Sequence, residues 1–287
     1  MTYSIRELKE HEFPSHLKEI PQAPKKLFCA GILPDRDHKF LSVVGSRKYT
    51  SYGKEVCEKL ISELRGYPIS IVSGLALGID SIAHKEALAN NLHTIAIPGS
   101  GLDPKALYPS SHLRLAEEIV SSGGALISEF ENDFKATQWS FPQRNRIMAG
   151  ISHGTLVIEA GEKSGTLITS RLATEYNRTV FAVPGSIFSK NSLGPHMLIR
   201  LGATPTTSGK DILEGLGFNV EEKQNQEKSY GELSLEENMI IELLHEPLPR
   251  DDIIRASGLP THHINSLLTA MEIKGVIIES MGEIRLT

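Results

Sequence analysis

The sequence is short of cysteine, of tryptophan and of long apolar runs. It has two cysteines in 287 residues, Cys29 and Cys57, far apart and with no C-x-x-C pair. That argues against a disulfide framework or a thiolate metal site and fits a reducing cytoplasm. No apolar run approaches the roughly 20 residues needed to span a bilayer, so no membrane partner is expected. The opening residues, MTYSIRELKEHEF, are charged throughout and do not read as a secretory signal. The Walker A order G-x-x-x-x-G-K-[ST] is missing too, which argues against ATP hydrolysis.

What is present describes an ordinary globular protein, 40% apolar and 23% charged. The net charge of −5 is unevenly spread. Residues 1–38 carry 6 basic and 6 acidic groups, residues 39–217 carry 18 and 16, and residues 218–287 carry 6 and 13. The three stretches therefore stand at 0, +2 and −7, and a polyanion can still bind the middle.

From about residue 40 one pattern repeats: a short β-branched run, a glycine turn, then an amphipathic helix. LSVV (41–44), ISIV (69–72), TIAI (94–97), ALI (125–127), TLVI (155–158) and TVFA (179–182) are the runs. The pattern predicts an α/β fold with a Rossmann-like parallel sheet covered on both faces. In such a sheet the strands' C-terminal ends share one edge, where ligands bind. Glycine turns and helix N-termini along that edge make it an anion-binding rim.

We expect an N-terminal extension over 1–38, the sheet domain over 39–217, a polar linker over 218–232 and a small domain over 233–287. In the last, LSLEENMIIELLH, RDDIIRASGL and THHINSLLTAMEIKG read as helices and VIIES-MGEIRL as a hairpin. Three helices and a two-stranded wing describe a winged helix.

Several turns are candidate sites. GSRKYTSYG places Gly45, Ser46, Arg47 and Lys48 after the first strand of the pattern, two cations on a glycine turn facing the crevice. SGLALGIDSIAH contributes Gly74, with Asp80 and His84 read as structural supports. EAGEKSGTLITSR sets Lys163, Ser164, Gly165 and Thr166 before a helix as a generic phosphate cradle. PGSGLDP is a weak dinucleotide fingerprint, and GISHG leaves a helix to enter a strand, the reverse of a nucleophile elbow.

FPQRNRIMAG fits a helix starting near Pro142. It sets Arg144 and Arg146 about 200° apart around the axis, so the two cannot easily share one phosphate. One is expected to pair with a buried carboxylate, Glu129 or Glu159. The other, with Asn145, is expected on a nucleic-acid backbone. Phe141 and Trp139 offer rings on which an unpaired base could stack, and rings beside cations suit single strands.

Taken in order, VVGSRKYTSYG, SGLALGIDSIAHKEAL, YPSSHLRLAEEI, SEF, FPQRNRIMAGIS, EAGEKSGTLITSRLA and FAVPGS resemble the DprA/Smf family of bacterial DNA-processing proteins. The resemblance implies an extended Rossmann domain that binds single-stranded DNA, forms a homodimer and loads the recombinase RecA in natural transformation. It implies no cofactor and no catalysis. It assigns Arg47 to the pocket and Phe141 to base stacking. Gln138 and Ser110 stand where relatives often carry lysines, with Lys135 near the first. The rival expectation is a nucleotide or sugar-phosphate hydrolase in the same crevice. Similar hydrolases have a glutamate where this chain has Thr169.

Overall fold

A computed structural model describes residues 3–35, 37–162, 164–220, 233–280 and 282–286. The chain divides into two units, Met1–Val220 and Glu221–Thr287. In the first, β1 (Ile5–Glu7), α1 (Ser15–Lys18) and β2 (Phe28–Gly31) precede the repeating part. That part runs β3 (Lys39–Val44), α2 (Ser51–Ser62), β4 (Ile69–Ser73), α3 (Ile79–Ala89), β5 (His93–Ala96), α4 (Leu113–Ser121) and β6 (Ala125–Ser128). It continues through α5 (Ser140–Ile151), β7 (Gly154–Val157), α6 (Thr166–Glu175), β8 (Thr179–Ala182), α7 (Leu193–Arg200), β9 (Thr204–Pro205) and α8 (Gly209–Gly215).

Among the described residues these strands form one nine-stranded sheet in the order β1-β2-β6-β5-β4-β3-β7-β8-β9. β3 to β9 run parallel, and β2 joins β6 antiparallel. Side-chain alternation gives the sheet its two apolar faces. Leu41 and Val43 of β3 pack with Leu60 and Ile61 of α2 and Ile79 of α3. Phe40 and Val44 point the other way, into the cluster with Ile147 and Met148 of α5 and Ala173 of α6. The chain steps outward from β3 through β4, β5 and β6, then returns to place β7 on the other side of β3. The turns after β3 and β7 therefore diverge, and their gap is the topological switch point where open α/β sheets bind ligands.

Residues 1–38 add strands and a helix to the same unit. β2 extends it, and Leu17, Ile20 and Leu27 lie in the same buried cluster as α5. FCAG has no β-branched residue and no amphipathic helix after its glycine, which is why it escapes the sequence pattern. α5 begins at Ser140, two residues before Pro142, and the proline still falls in the first turn, where a missing N–H is harmless.

The second unit holds α9 (Leu235–Leu243), β10 (Leu248–Pro249), α10 (Arg250–Ser257), α11 (Thr261–Ile273), β11 (Ile277–Ser280) and β12 (Glu283–Leu286). Ser234 and Glu237 form a capping box at the start of α9. α11 closes in a Schellman motif: Gly275 N–H donates to Glu272 O and Val276 N–H to Met271 O, with Gly275 at φ +70°. Ile240, Ile253, Ile264, Leu268 and Met271 fill a core of its own. The unit is a winged helix. Its sheet has three strands, β10-β12-β11, and not the two of the expected wing, because the two-residue β10 also pairs with β12. Of the expected linker, residues 221–232 lie outside the described residues, while Phe218 and Val220 pack on the core beside α2.

Candidate functional site

A cavity of about 590 Å³ opens at the switch point. One wall is the turn after β3, where Gly45, Ser46, Arg47 and Lys48 all line it. Ser46 braces this turn from within: its hydroxyl accepts from Lys48 N–H at 3.0 Å and donates to Lys48 O at 2.8 Å. The next glycine turn presses against it. Ile79 N–H donates to Ser46 O at 3.2 Å, and Gly78 sits at φ +90° with the Arg47 Cα 2.7 Å from where a Cβ would be. Only glycine fits there, on both conformational and steric grounds.

The opposite wall is the start of α6, where Ser164, Gly165 and Thr166 line the cavity. Thr166 ties the two walls by donating its hydroxyl to Gly45 O at 3.1 Å. A Cβ on Gly165 would meet nothing within 4 Å, so its backbone is open to a ligand. Helix starts of this kind present N–H groups to anions. Lys163 lies outside the described residues.

The third side comes from α5. Phe141 packs against Gly99, where a Cβ would lie 2.6 Å from the ring, and Tyr108 leans on it at 5.6 Å between centroids. The exposed Arg47 guanidinium lies over the Phe141 ring, 5.4 Å from its centroid. Pocket cation and aromatic platform thus form one stacked pair at the cavity mouth. Trp139, 56% exposed, packs edge-on to Phe130 and does not line the cavity.

The two arginines of α5 part as their spacing requires. Arg144 is buried in the cavity floor and donates to Gly74 O at 2.5 Å and to Ile97 O. These carbonyls follow β4 and β5, so Arg144 clasps the sheet edge. Its Nε donates to Asn145 Oδ1 at 3.1 Å, which fixes that amide beside the cavity. Burial lowers the Arg144 pKa to about 10, with Asp80 opposing, so it stays charged at neutral pH. Burial pushes the Asp80 carboxyl up while Arg144 pulls it back, and Asp80 accepts from Gly74 N–H at 3.1 Å. Gly74 faces a smaller adjoining niche beside Tyr108 and Leu77.

Arg146 points away and is not brought to the cavity. It forms an ion pair with Glu129 and donates to Gln22 O. The other candidate carboxylate, Glu159, pairs with no arginine among the described residues: it accepts from Thr50 N–H at 3.0 Å and from Asn191 Nδ2 at 3.3 Å, at the start of α2. His84 lies outside the cavity lining, bonded to Thr94 at 2.8 Å, and burial lowers its pKa to about 3. Gln138, Ser110 and Lys135 are exposed and do not line the cavity either.

Asn191 is a wall residue that the sequence reading missed. Its amide donates to Lys48 O at 3.0 Å and joins the turn after β3 to the loop after β8. A signal for it was present. Residues 38–54, 134–158 and 176–210 contain no carboxylate, and these three runs deliver Arg47, Phe141 and Asn191 to one place. Among the described residues no group of His, Cys, Asp and Glu could hold a metal ion, and no helix is long and apolar enough to cross a membrane.

Comparison with known proteins follows the same division of the chain. The family described as DNA recombination-mediator protein A matches residues 4–217, and the DprA winged helix domain matches residues 224–282. Protein Smf of Escherichia coli is 37% identical over 277 residues, 94% of this chain and 74% of that protein. The DNA processing protein DprA of Streptococcus pneumoniae is 42% identical over 206 residues, 72% of each. The X-ray structure of DprA from Streptococcus pneumoniae superposes with a TM-score of 0.67 at 39% identity, covering 73% of this chain and 74% of that one. A Helicobacter pylori DprA structure, described for its single-stranded DNA binding mode, gives 0.65 at 29% identity, covering 75% and 96%.

Proposed function

The chain belongs to the DNA recombination-mediator protein A (DprA/Smf) family, and from that premise we propose that it binds single-stranded DNA in the switch-point cavity. It shields unpaired strands and delivers them, as a homodimer, to a RecA-type recombinase. The observation that carries this reading is Arg47 stacked on Phe141 at the mouth of a cavity walled by glycine turns. Glycine turns and the α6 start offer backbone N–H groups to phosphate, and Arg47 and Lys48 add charge. The Arg47–Phe141 pair offers a flat surface to an unpaired base. None of these groups reads a base edge, so binding is tolerant of sequence.

The cavity holds strands without cutting them. Thr169 stands in its wall where similar hydrolases carry a glutamate, and the Asp80 carboxyl is engaged by the Gly74 N–H. The test is a salt series with labelled single strand, duplex and a nucleotide panel. Arg47→Ala should weaken single-strand binding and reduce the salt slope by about 0.7, the loss of one phosphate contact. Phe141→Ala should cost about 1–3 kcal/mol of affinity through lost stacking. Because Phe141 is half-buried, its melting is measured in parallel. Hydrolysis of a nucleotide, or equal affinity for duplex, would overturn the reading.

A further inference from the structure

The loop after β8 carries a second aromatic beside a cation at the same sheet edge. Phe188 is 91% exposed and its neighbour Ile187 77%. The loop is tightly braced. Phe188 N–H donates to Ser186 Oγ at 3.2 Å, Ser189 N–H to Ser186 O at 3.0 Å, and Asn191 N–H to Ser189 Oγ at 3.2 Å. At its start, Tyr52 Oη donates to Pro184 O at 2.6 Å. At its end, Asn191 is fixed to the turn after β3 and forms part of the cavity wall. Three residues of chain reach at most about 10 Å, so Phe188 stands within that distance of the wall.

The surroundings favour an anionic, planar occupant. Lys190 is exposed two residues from Phe188, and no carboxylate occurs between Tyr176 and Lys210 in a chain that is net acidic. This repeats the pairing of Arg47 with Phe141, a ring beside a cation, although there the Asp80 carboxyl also lines the cavity. The end of this loop borders the chain between β7 and α6, where Ala160 N–H donates to Asn191 O and Gly194 N–H to Ala160 O, both at 2.8 Å.

We propose that Phe188, with Lys190, is a second base-stacking station for single-stranded DNA, reached by strands that extend beyond the Arg47–Phe141 pair. The proposal rests on the reading that the cavity holds single-stranded DNA and adds the direction in which the strand runs.

The experiment compares Phe188→Ala, Phe188→Trp and Phe141→Ala in the full chain, using dT4 and dT20 and fluorescence anisotropy. Phe188→Ala should weaken dT20 binding by about tenfold, the low end of base–aromatic stacking, and leave dT4 unchanged. Phe188→Trp should restore dT20 binding, while Phe141→Ala should weaken both oligomers. A dT20 carrying 5-iodo-deoxyuridine should photocrosslink to residues 186–190 in the unaltered chain and lose that crosslink in Phe188→Ala. Truncating so exposed a ring should leave melting unchanged. Unaltered dT20 affinity in Phe188→Ala, with dT20 still weakened by Phe141→Ala, would overturn the second station alone. Conversion of a dimer to monomers by Phe188→Ala, with dT20 affinity per protomer kept, would assign the ring to a second copy and overturn it too. Loss of no affinity in any variant would overturn the cavity reading along with it.

Discussion

The α/β unit and the winged helix both form ion pairs, Arg146–Glu129 and Arg171–Glu175 among those of the first, but they differ in which cations they leave beside an aromatic ring. In the winged helix, Arg250 pairs with Glu279, Lys274 with Glu237 at 2.6 Å, Arg255 with Asp252 at 3.4 Å and His263 with Glu236 at 2.9 Å. In the α/β unit, Arg47 faces a phenyl ring, and Lys48 and Lys190 stand in runs that contain no acid. Surface ion pairs of the first kind contribute little to stability, but they cancel the field a polyanion would feel. The difference teaches that the whole-chain charge of −5 says little about what either unit binds. Placement decides, and one change of condition and three variants can break or sharpen that statement.

The largest effect is expected from acid. In the α/β unit burial lowers His84 to about 3 and His153 to about 4 from the ordinary 6.5. His153 accepts from Phe40 N–H at 3.0 Å, and after burial its neighbours His16, Lys39 and Arg178 add to the lowering, Glu19 alone opposing. Both folded values are depressed, so the unfolded chain takes up the protons. Their contribution is full above 6.5 and is lost as pH falls toward 4. With allowance for the partial exposure of His153, the loss by pH 4 is on the order of 4 kcal/mol. In the winged helix Lys274 and the Ser234 N–H hold the Glu237 carboxyl low, a contribution that fades only below the ordinary carboxylate value of 4.5. Hydrogen exchange on the full chain should therefore show protection falling in the α/β unit between pH 6.5 and 5, with the winged helix unaffected. Equal loss in both would break the contrast.

A smaller effect separates two glycines. Gly78→Ala puts a methyl against Ser46 and Arg47 at φ +90°, and about 3 kcal/mol of stability should go with it. Single-strand affinity should fall as the turn carrying Arg47 moves. Gly275→Ala, at φ +70° with nothing within 4 Å, meets the dihedral cost alone, about 1 kcal/mol. Urea titrations of both variants check the order. A Gly78→Ala protein as stable as the Gly275→Ala one would mean that the two turns of the site are not interlocked.

Much of this was legible in the sequence, for reasons that differ by element. The parallel strands and their glycine turns were readable because β-branched runs buried on both faces leave no other interpretation, and the switch point followed from them. The 200° between Arg144 and Arg146 required the two to part, yet periodicity could not say which faced the cavity. Burial settled it: Arg144 found carbonyls and Arg146 found Glu129. β9 and β10 were invisible because two residues carry no period, and β1 and β2 because neither is a β-branched run leading through a glycine turn into a helix. Asn191 was missed for another reason: the carboxylate-free run 176–210 marks its region, but its bridge to a loop far away in sequence singles out no one residue of that run.

The smallest effect is expected from removing the acidic end of the chain. Residues 221–287 carry 6 basic and 13 acidic groups, a net −7. The longest helix among their described residues, α11, is capped by Lys274, the one lysine or arginine in 261–274, and that lysine is bound to Glu237. A helix that enters a DNA groove needs cations free to meet phosphate, and this one brings none. We therefore expect the winged helix to bind protein, another chain or its own core domain, and not a second stretch of DNA. Deleting residues 221–287 should change single-strand affinity by less than about twofold, with any change upward. Repulsion is lost only for acidic groups within about 10 Å of the strand, so the gain should vanish as salt rises above 0.1 M. A truncated chain that binds single strands ten times more weakly than the full one would make the acidic unit a DNA-binding element and reverse the contrast between the two.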